Sequence, residues 1–348
     1  MFTNRLIRSL DWFLAFGILL SGCFVRPLAA LFRRHPAGTL IVRPGGMGDL
    51  IYTRMAEEYL ALEHPVIYLI ERRSEVWAKH YGLNYILYDV NPLLTLFRLA
   101  GSFLTVVVTE QRYGAACAYG WVAMAIGGKA YGFRTQRLRI LLDVVADYDA
   151  TSGHEVGWFH QLLELAAIKD CSNQAAPVLR QRRHIGDGSI WIGIAGTGVP
   201  SRQLELSKWV NIIQEVLGKH LRKQIYIACV QGDIDLANAI CREIKDCQVF
   251  KGNFGALCDA LSLAEFLICM DGGIAHIAAY EGVPVFAAFT SGVAAKWFPF
   301  SQGSQTLLAS PLPCQPCTRF GQVPKCTNRF ACKNFEDSVR KLNVEDLQ

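Results

Sequence analysis

The chain has 348 residues, of which 51% are hydrophobic and 19% charged, a composition that folds and that is too long for one ordinary core. Its formal net charge is +5, and residues 1–40 hold most of it: Arg5, Arg8, Arg26, Arg33 and Arg34 stand against Asp11 alone. The rest of the chain is therefore near neutral and carries no basic stripe, which argues against a nucleic-acid partner.

The N-terminal segment, residues 1–37, comes first. Its apolar run, 12–25, is bounded by Arg8 and Arg26-Pro27 and falls short of the ~20 residues a spanning helix needs. Leu20-Ser21-Gly22-Cys23 imitates a cleavage site, but Asp11 interrupts the approach to the apolar core, against a signal peptide. Bulky apolar residues with arginines at both flanks fit an amphipathic helix on an anionic inner-membrane surface. A helix that docks on the body of the protein is the other reading.

From residue 38 the pattern becomes strand and helix in alternation. Residues 39–43, 66–70, 85–90 and 104–109 read as strands, and 50–62, 74–81, 92–99 and 157–167 as helices. The first domain is accordingly placed at 38–180. A polar stretch, 170–188, with Pro177 and the basic group Arg180, Arg182 and Arg183, reads as the linker. A second series follows over 187–312: strands at 190–194, 225–230, 266–269 and 283–289, with helices at 206–217, 235–244, 254–263 and 274–281. Both series predict α/β domains with doubly wound, Rossmann-like sheets and ligands at the carboxyl ends of the strands. Residues 313–348 form a Cys-rich segment and tail.

Three loops carry the chemistry. In Arg43-Pro44-Gly45-Gly46-Met47-Gly48-Asp49, glycines between strand and helix permit positive φ and close backbone approach. The spacing is not the dinucleotide fingerprint, and the feature that stands out is the carboxylate of Asp49. In Met270-Asp271-Gly272-Gly273-Ile274-Ala275-His276, a strand ends and a helix starts at once, which makes an anion site with His276 on the first turn. Gly196-Thr197-Gly198, followed by Ser201-Arg202, is a further phosphate-type loop. Two such loops in one half, and an isolated carboxylate in the other, predict a donor diphosphate in the second domain met by a base from the first.

Together these residues resemble glycosyltransferase family 9, the ADP-heptose:lipopolysaccharide heptosyltransferases. The match runs through Arg-x-Gly-Gly-Met-Gly-Asp (43–49), Ser-Arg-Gln-Leu-x-Leu-x-Lys-Trp (201–209), Asp-Gly-Gly-x-x-His (271–276), Phe-Thr-Ser (289–291) and Trp297-x-Pro299. The resemblance implies a GT-B fold, with an acceptor domain followed by a nucleotide-sugar domain facing it across a cleft. It implies an inverting, metal-independent transfer, with no cofactor required, of a heptose from ADP-heptose to a lipid-linked glycan in lipopolysaccharide or surface-polysaccharide assembly. Asp49 then matches the general base, Thr197 a phosphate-contacting hydroxyl, and Gly272, Gly273 and His276 the diphosphate loop. Arg202 stands where the family usually has Lys, and Gly272 where it usually has Ser or Thr. Asp233 and Asp235 are both candidates for the ribose. A sugar-nucleotide epimerase or hydrolase on a similar fold, or a non-catalytic binding protein, are the alternatives.

Arg54, Arg72, Arg73, Lys129, Arg134, Arg137 and Arg139 in the first domain would suit an acidic acceptor, although each is individually compatible with ordinary surface. Eight of the twelve cysteines are scattered, as in a protein of a reducing, cytoplasmic compartment. The remaining four, Cys314, Cys317, Cys326 and Cys332, lie within twenty residues and have the number and type of ligand for a structural zinc.

Overall fold

The computed structural model describes residues 4–32, 38–58, 60, 65–149, 151–167, 186–194, 200–217, 223–309, 311–317, 326 and 328–341. The chain divides into two compact units, Met1–Asp149 with Glu155–Pro177, and Ala150–His154 with Val178–Gln348.

The first unit begins with a long helix, α1 (Asn4–Phe32), and then enters its sheet at β1 (Thr39–Val42). There follow α2 (Met47–Glu58), β2 (Val66–Ile70), α3 (Glu75–His80), β3 (Tyr85–Leu87), α4 (Pro92–Leu99) and β4 (Phe103–Val108). The unit closes with α5 (Gly114–Ala123), β5 (Met124–Phe133), β6 (Val144–Ala146) and α6 (Glu155–Ala167). Its six strands run in the order β3-β2-β1-β4-β5-β6. All pair in parallel, with Leu40 of β1 opposite Ile67 on one side and Val106 on the other. Every residue of β1 is buried, as expected of a central parallel strand covered on both faces.

The second unit repeats the plan. It runs β7 (Ile190–Gly193), α7 (Leu206–Leu217), β8 (Ile225–Ala228), α8 (Ile234–Glu243), β9 (Cys247–Val249) and α9 (Phe254–Leu261). It continues through β10 (Phe266–Met270), α10 (Gly273–Tyr280), β11 (Val285–Phe289), α11 (Ala294–Trp297), β12 (Gln305–Leu308) and α12 (Glu336–Arg340). The sheet order is β12-β11-β10-β7-β8-β9, again all parallel. Helix α7 shows why it packs: Trp209, Ile212, Ile213 and Val216 are buried at the i, i+3, i+4, i+7 spacing of one face. These side chains join Ile190, Ile192, Phe266 and Ile268 in the core of this unit.

Each sheet has one place where the winding reverses. In the first, the chain steps outward from β1 to β3, then returns to lay β4 on the opposite side of β1. In the second, β7 to β9 go one way and β10 starts the other. Loops leaving the two strands at such a reversal diverge and leave a crevice at the strands' carboxyl ends. Residues 43–49 follow β1, Pro200–Arg202 follows β7, and residues 271–276 follow β10.

Candidate active site

In the first unit the crevice lies between the ends of β1 and β4. Arg43 follows β1, is only 2% exposed, and sits at the centre of a charge network. Its Nη2 pairs with Asp49 Oδ2 at 2.5 Å. Its Nη1 donates to the Thr109 carbonyl at 3.0 Å and lies 3.4 Å from both Glu110 Oε2 and Gln111 Oε1. Gln111 Nε2 donates to Glu155 Oε2 at 3.0 Å, and the Tyr148 hydroxyl donates to Glu155 Oε1 at 2.7 Å. Burial opposes the charge on Arg43, but Asp49, Glu110 and Glu155 outweigh it and raise its pKa. Glu110 is pushed up by burial and, against the pull of Arg43, by Asp49. Asp49 itself lies in the first turn of α2, with its side chain 29% exposed. It is the accessible carboxylate of the group, held in place by a buried cation.

The glycines of this loop work differently from the expectation. None of Gly45, Gly46 and Gly48 adopts positive φ. Gly45 is needed because a Cβ there would stand 2.9 Å from Nη2 of Arg43, a side chain already fixed by its ion pair. A Cβ on Gly46 would meet open space. The sequence motif therefore marks the buried arginine as much as the carboxylate. Arg43, Glu110 and Glu155 are the members of this network that the sequence does not single out. Glu110 and Glu155 join Asp49 only because β4 and α6 bring them there.

In the second unit the crevice lies between the ends of β7 and β10. Asp271 follows the all-buried β10, and Gly272 caps α10 in an extended conformation. Arg202 closes a 3-10 turn at Pro200–Arg202, and its Nη2 pairs with Asp271 Oδ2 at 2.7 Å. Asp271 is 4% exposed and burial raises its pKa against the pull of Arg202. It was expected to bind donor; its carboxylate instead faces Arg202 and lies over Gly292, where any Cβ would collide with it. Ser201 donates to Ser291 Oγ at 2.9 Å, which brings the end of β11 to the same place. Two donors near this pair, Arg202 Nε and Thr290 Oγ1, are buried without a hydrogen-bond partner among the described residues. His276 is buried in α10. A helix N-terminus, a guanidinium and unsatisfied donors favour an anion.

The loop 195–199, and with it Thr197, lies outside the described residues. Of the two ribose candidates, Asp233 ends the turn after β8 and has a buried Oδ2 without a hydrogen-bond partner among the described residues, whereas Asp235 is exposed. Lys208 of the quoted motif belongs to the fold: its Nζ bonds the Lys333 carbonyl, Asn334 and Glu336. The arginines expected to greet an acidic acceptor are mostly paired. Arg54 meets Glu57 and Glu58, Arg73 meets Glu71, Arg134 meets Asp147, and Arg137 meets Asp11.

Among the described residues the four C-terminal cysteines form no disulfide. Asn328 Nδ2 donates to Cys314 at 3.1 Å, and the Phe330 amide to Cys326 at 3.2 Å. Burial, and then Cys317, Cys326 and Cys314, push up the Cys332 thiol. Among the described residues, however, no three His, Cys, Asp or Glu side chains are placed to hold a metal ion.

Residues 208–327 match the family model for glycosyltransferase family 9 (heptosyltransferase). No curated protein matches the chain in sequence. Among solved structures, the chain is similar to a glycosyltransferase of family 9 from Veillonella parvula, with a TM-score of 0.65 and 14% identity over 90% of this chain and 98% of that one. The E. coli heptosyltransferase WaaC with ADP gives 0.61 and 14% over 77% and 92%. The same enzyme with ADP-2-deoxy-2-fluoro heptose gives 0.61 and 14% over 78% and 93%. The motif resemblance is thus borne out by a family 9 match within the second unit and by two α/β units with the GT-B fold of the heptosyltransferases.

Proposed function

We propose that the protein is an inverting glycosyltransferase that moves a sugar, heptose from ADP-heptose, onto a lipid-linked glycan of lipopolysaccharide or a related surface polysaccharide. The observation that carries this reading is the opposite character of the two crevices: an ion-paired, accessible carboxylate in one and an anion-attracting helix end in the other. WaaC has been solved with ADP and with a fluorinated ADP-heptose, which supports an ADP-linked donor here.

In this mechanism Asp49 accepts the proton of the acceptor hydroxyl, whose oxygen attacks the anomeric carbon. The bond to the diphosphate breaks on the opposite face, and charge grows on the leaving oxygens. Arg202, the N–H groups that open α10, His276 and the Thr290 hydroxyl meet that charge, with Thr197 and Asp233 completing the donor contacts. Donors fixed in advance lower the barrier because they do not reorganise as charge develops. Such a set removes the need for a metal in the transfer step. Arg43 is a positioning residue that orients Asp49 through their ion pair. The scattered, unpatterned cysteines support a cytoplasmic place of action.

The test is a thermal-shift panel of nucleoside diphosphates, followed by turnover with the sugar nucleotide of the best binder. ADP and ADP-sugars should stabilise the protein and UDP or GDP forms should not. Stabilisation by UDP alone would overturn the heptose reading while leaving transfer intact.

A further inference from the structure

Helix α1 has two faces with opposite partners. Its inner stripe, Asp11, Ala15, Ile18, Gly22 and Ala29, is buried, four residues then three apart as one helix face requires. This stripe packs on α5. A Cβ on Gly22 would run into Val122 and Trp121, so the helix backbones meet closely there. The carboxylate of Asp11 accepts from the amides of Gly114 and Ala115, both at 3.1 Å, which open α5, and pairs with Arg137 at 3.0 Å. At the far end, Arg26 donates to the Met124 carbonyl at 3.0 Å and lies over the Trp121 ring. These contacts make α1 part of the first unit.

The opposite face has no partner among the described residues. Phe13, Phe16, Leu20, Phe24, Leu28 and Leu31 are each more than half exposed. Helix α4 packs beside α1 and exposes Leu93, Leu94 and Phe97, which widens the same apolar surface. A patch of this size calls for an occupant.

We propose that this face is a lipid-docking surface, on which α1 and α4 lie in the plane of an anionic bilayer. Charge selects the lipid over a second copy of the chain. Residues 1–40 hold five arginines and one acid, and that acid is turned inward and spent on α5 and Arg137. The segment is left cationic, which repels a like surface and is attracted to anionic headgroups. Leu10–Ala29 has the length and composition to span a membrane. Spanning would draw the Asp11–Arg137 pair and α5 into hydrocarbon, so the inner contacts set the helix in the interface.

The test is flotation of the full chain with vesicles of phosphatidylglycerol and phosphatidylcholine, and with phosphatidylcholine alone. The wild-type chain is expected to float with the anionic vesicles, less as salt rises, and to be released by carbonate. Replacing Phe13, Phe16 and Phe24 together by Gln should lower partitioning about tenfold or more with an unchanged melting temperature. If the triple variant fails to fold, Phe24→Gln alone must still weaken binding. Carbonate-resistant insertion, equal binding by the variants, or a wild-type dimer that ignores vesicles and that the variants convert to monomer would each overturn the proposal. No donor or acceptor is present, so the result is independent of the transfer reading.

Discussion

The two crevices share a topology and differ in sign. Each lies where its parallel sheet reverses its winding, and each is opened by a helix that starts one or a few residues after a buried strand. In the first unit three carboxylates, Asp49, Glu110 and Glu155, gather around one arginine. In the second a single carboxylate, Asp271, faces one arginine beside a helix N-terminus and unsatisfied donors. The fold thus supplies position, and the side chains decide whether that position suits a proton acceptor or an anion.

The largest effect should come from Asp49→Asn. The substitution keeps the size and removes the base, so transfer should fall by about 10²–10⁴ while the thermal shift on adding ADP is kept. Transfer near the wild-type rate would remove Asp49 from its role. Next, Arg202→Lys should lower kcat by roughly 10–100-fold, less than the 10²–10³ of a lost donor, because a point charge replaces a fork; here the ADP shift should shrink as well. The asymmetry between the two variants in donor binding is the sharpest check on the comparison.

Stability gives a third check. Arg43→Met leaves three acids without their counter-ion, and a loss of about 3–5 kcal/mol is expected, read by denaturant melts. Arg43→Lys should recover part of it. A neutral outcome would mean that the network does not need its cation.

A smaller effect concerns pH. His154 is counted with the second unit, donates to the Phe298 carbonyl at 2.6 Å and stacks on Phe300, and burial lowers its pKa to about 4 from 6.5. A depressed histidine favours the fold when neutral. Its contribution is full above pH 6.5 and is lost as pH falls through 4, on the order of 3 kcal/mol. Glu110 and Asp271 are raised acids and act in the opposite sense, stabilising most at low pH and less as pH rises through their folded values. The comparison of wild type with His154→Gln isolates the histidine: the variant should lose less stability between pH 6.5 and 4. The smallest effect is expected at the thiols. Metal analysis of the purified chain should find less than one equivalent, and a stoichiometric zinc would establish the tetrathiolate instead.

Much of this was legible in the chain itself. Runs such as 39–43 and 266–269 are continuous and apolar, and the helix of Trp209 has a 3.6-residue period, because burial on both sides of a sheet and on one side of a helix writes itself into residue type. Helix α5 and strand β5 were not legible. Their sequence, Gly-Ala-Ala-Cys-Ala-Tyr-Gly-Trp-Val-Ala followed by Met-Ala-Ile-Gly-Gly-Lys-Ala-Tyr-Gly-Phe, has neither period. Small residues there serve close approach: a Cβ on Gly128 would strike the carbonyls of Leu104 and Ala125.

By itself the sequence determined the alternation of strands and helices, and the loops in which the chemistry lies. It also fixed a membrane-compatible N-terminal helix and the identity of Asp49, Arg202 and Asp271. Only the tertiary structure decided that Glu110 and Glu155 surround Arg43, that Asp271 faces Arg202, and that Asp11 is withdrawn onto α5. Those choices join residues 67 to 126 positions apart. A local pattern records which way a side chain faces, whereas a charge partner is set by which strands become neighbours in the sheet.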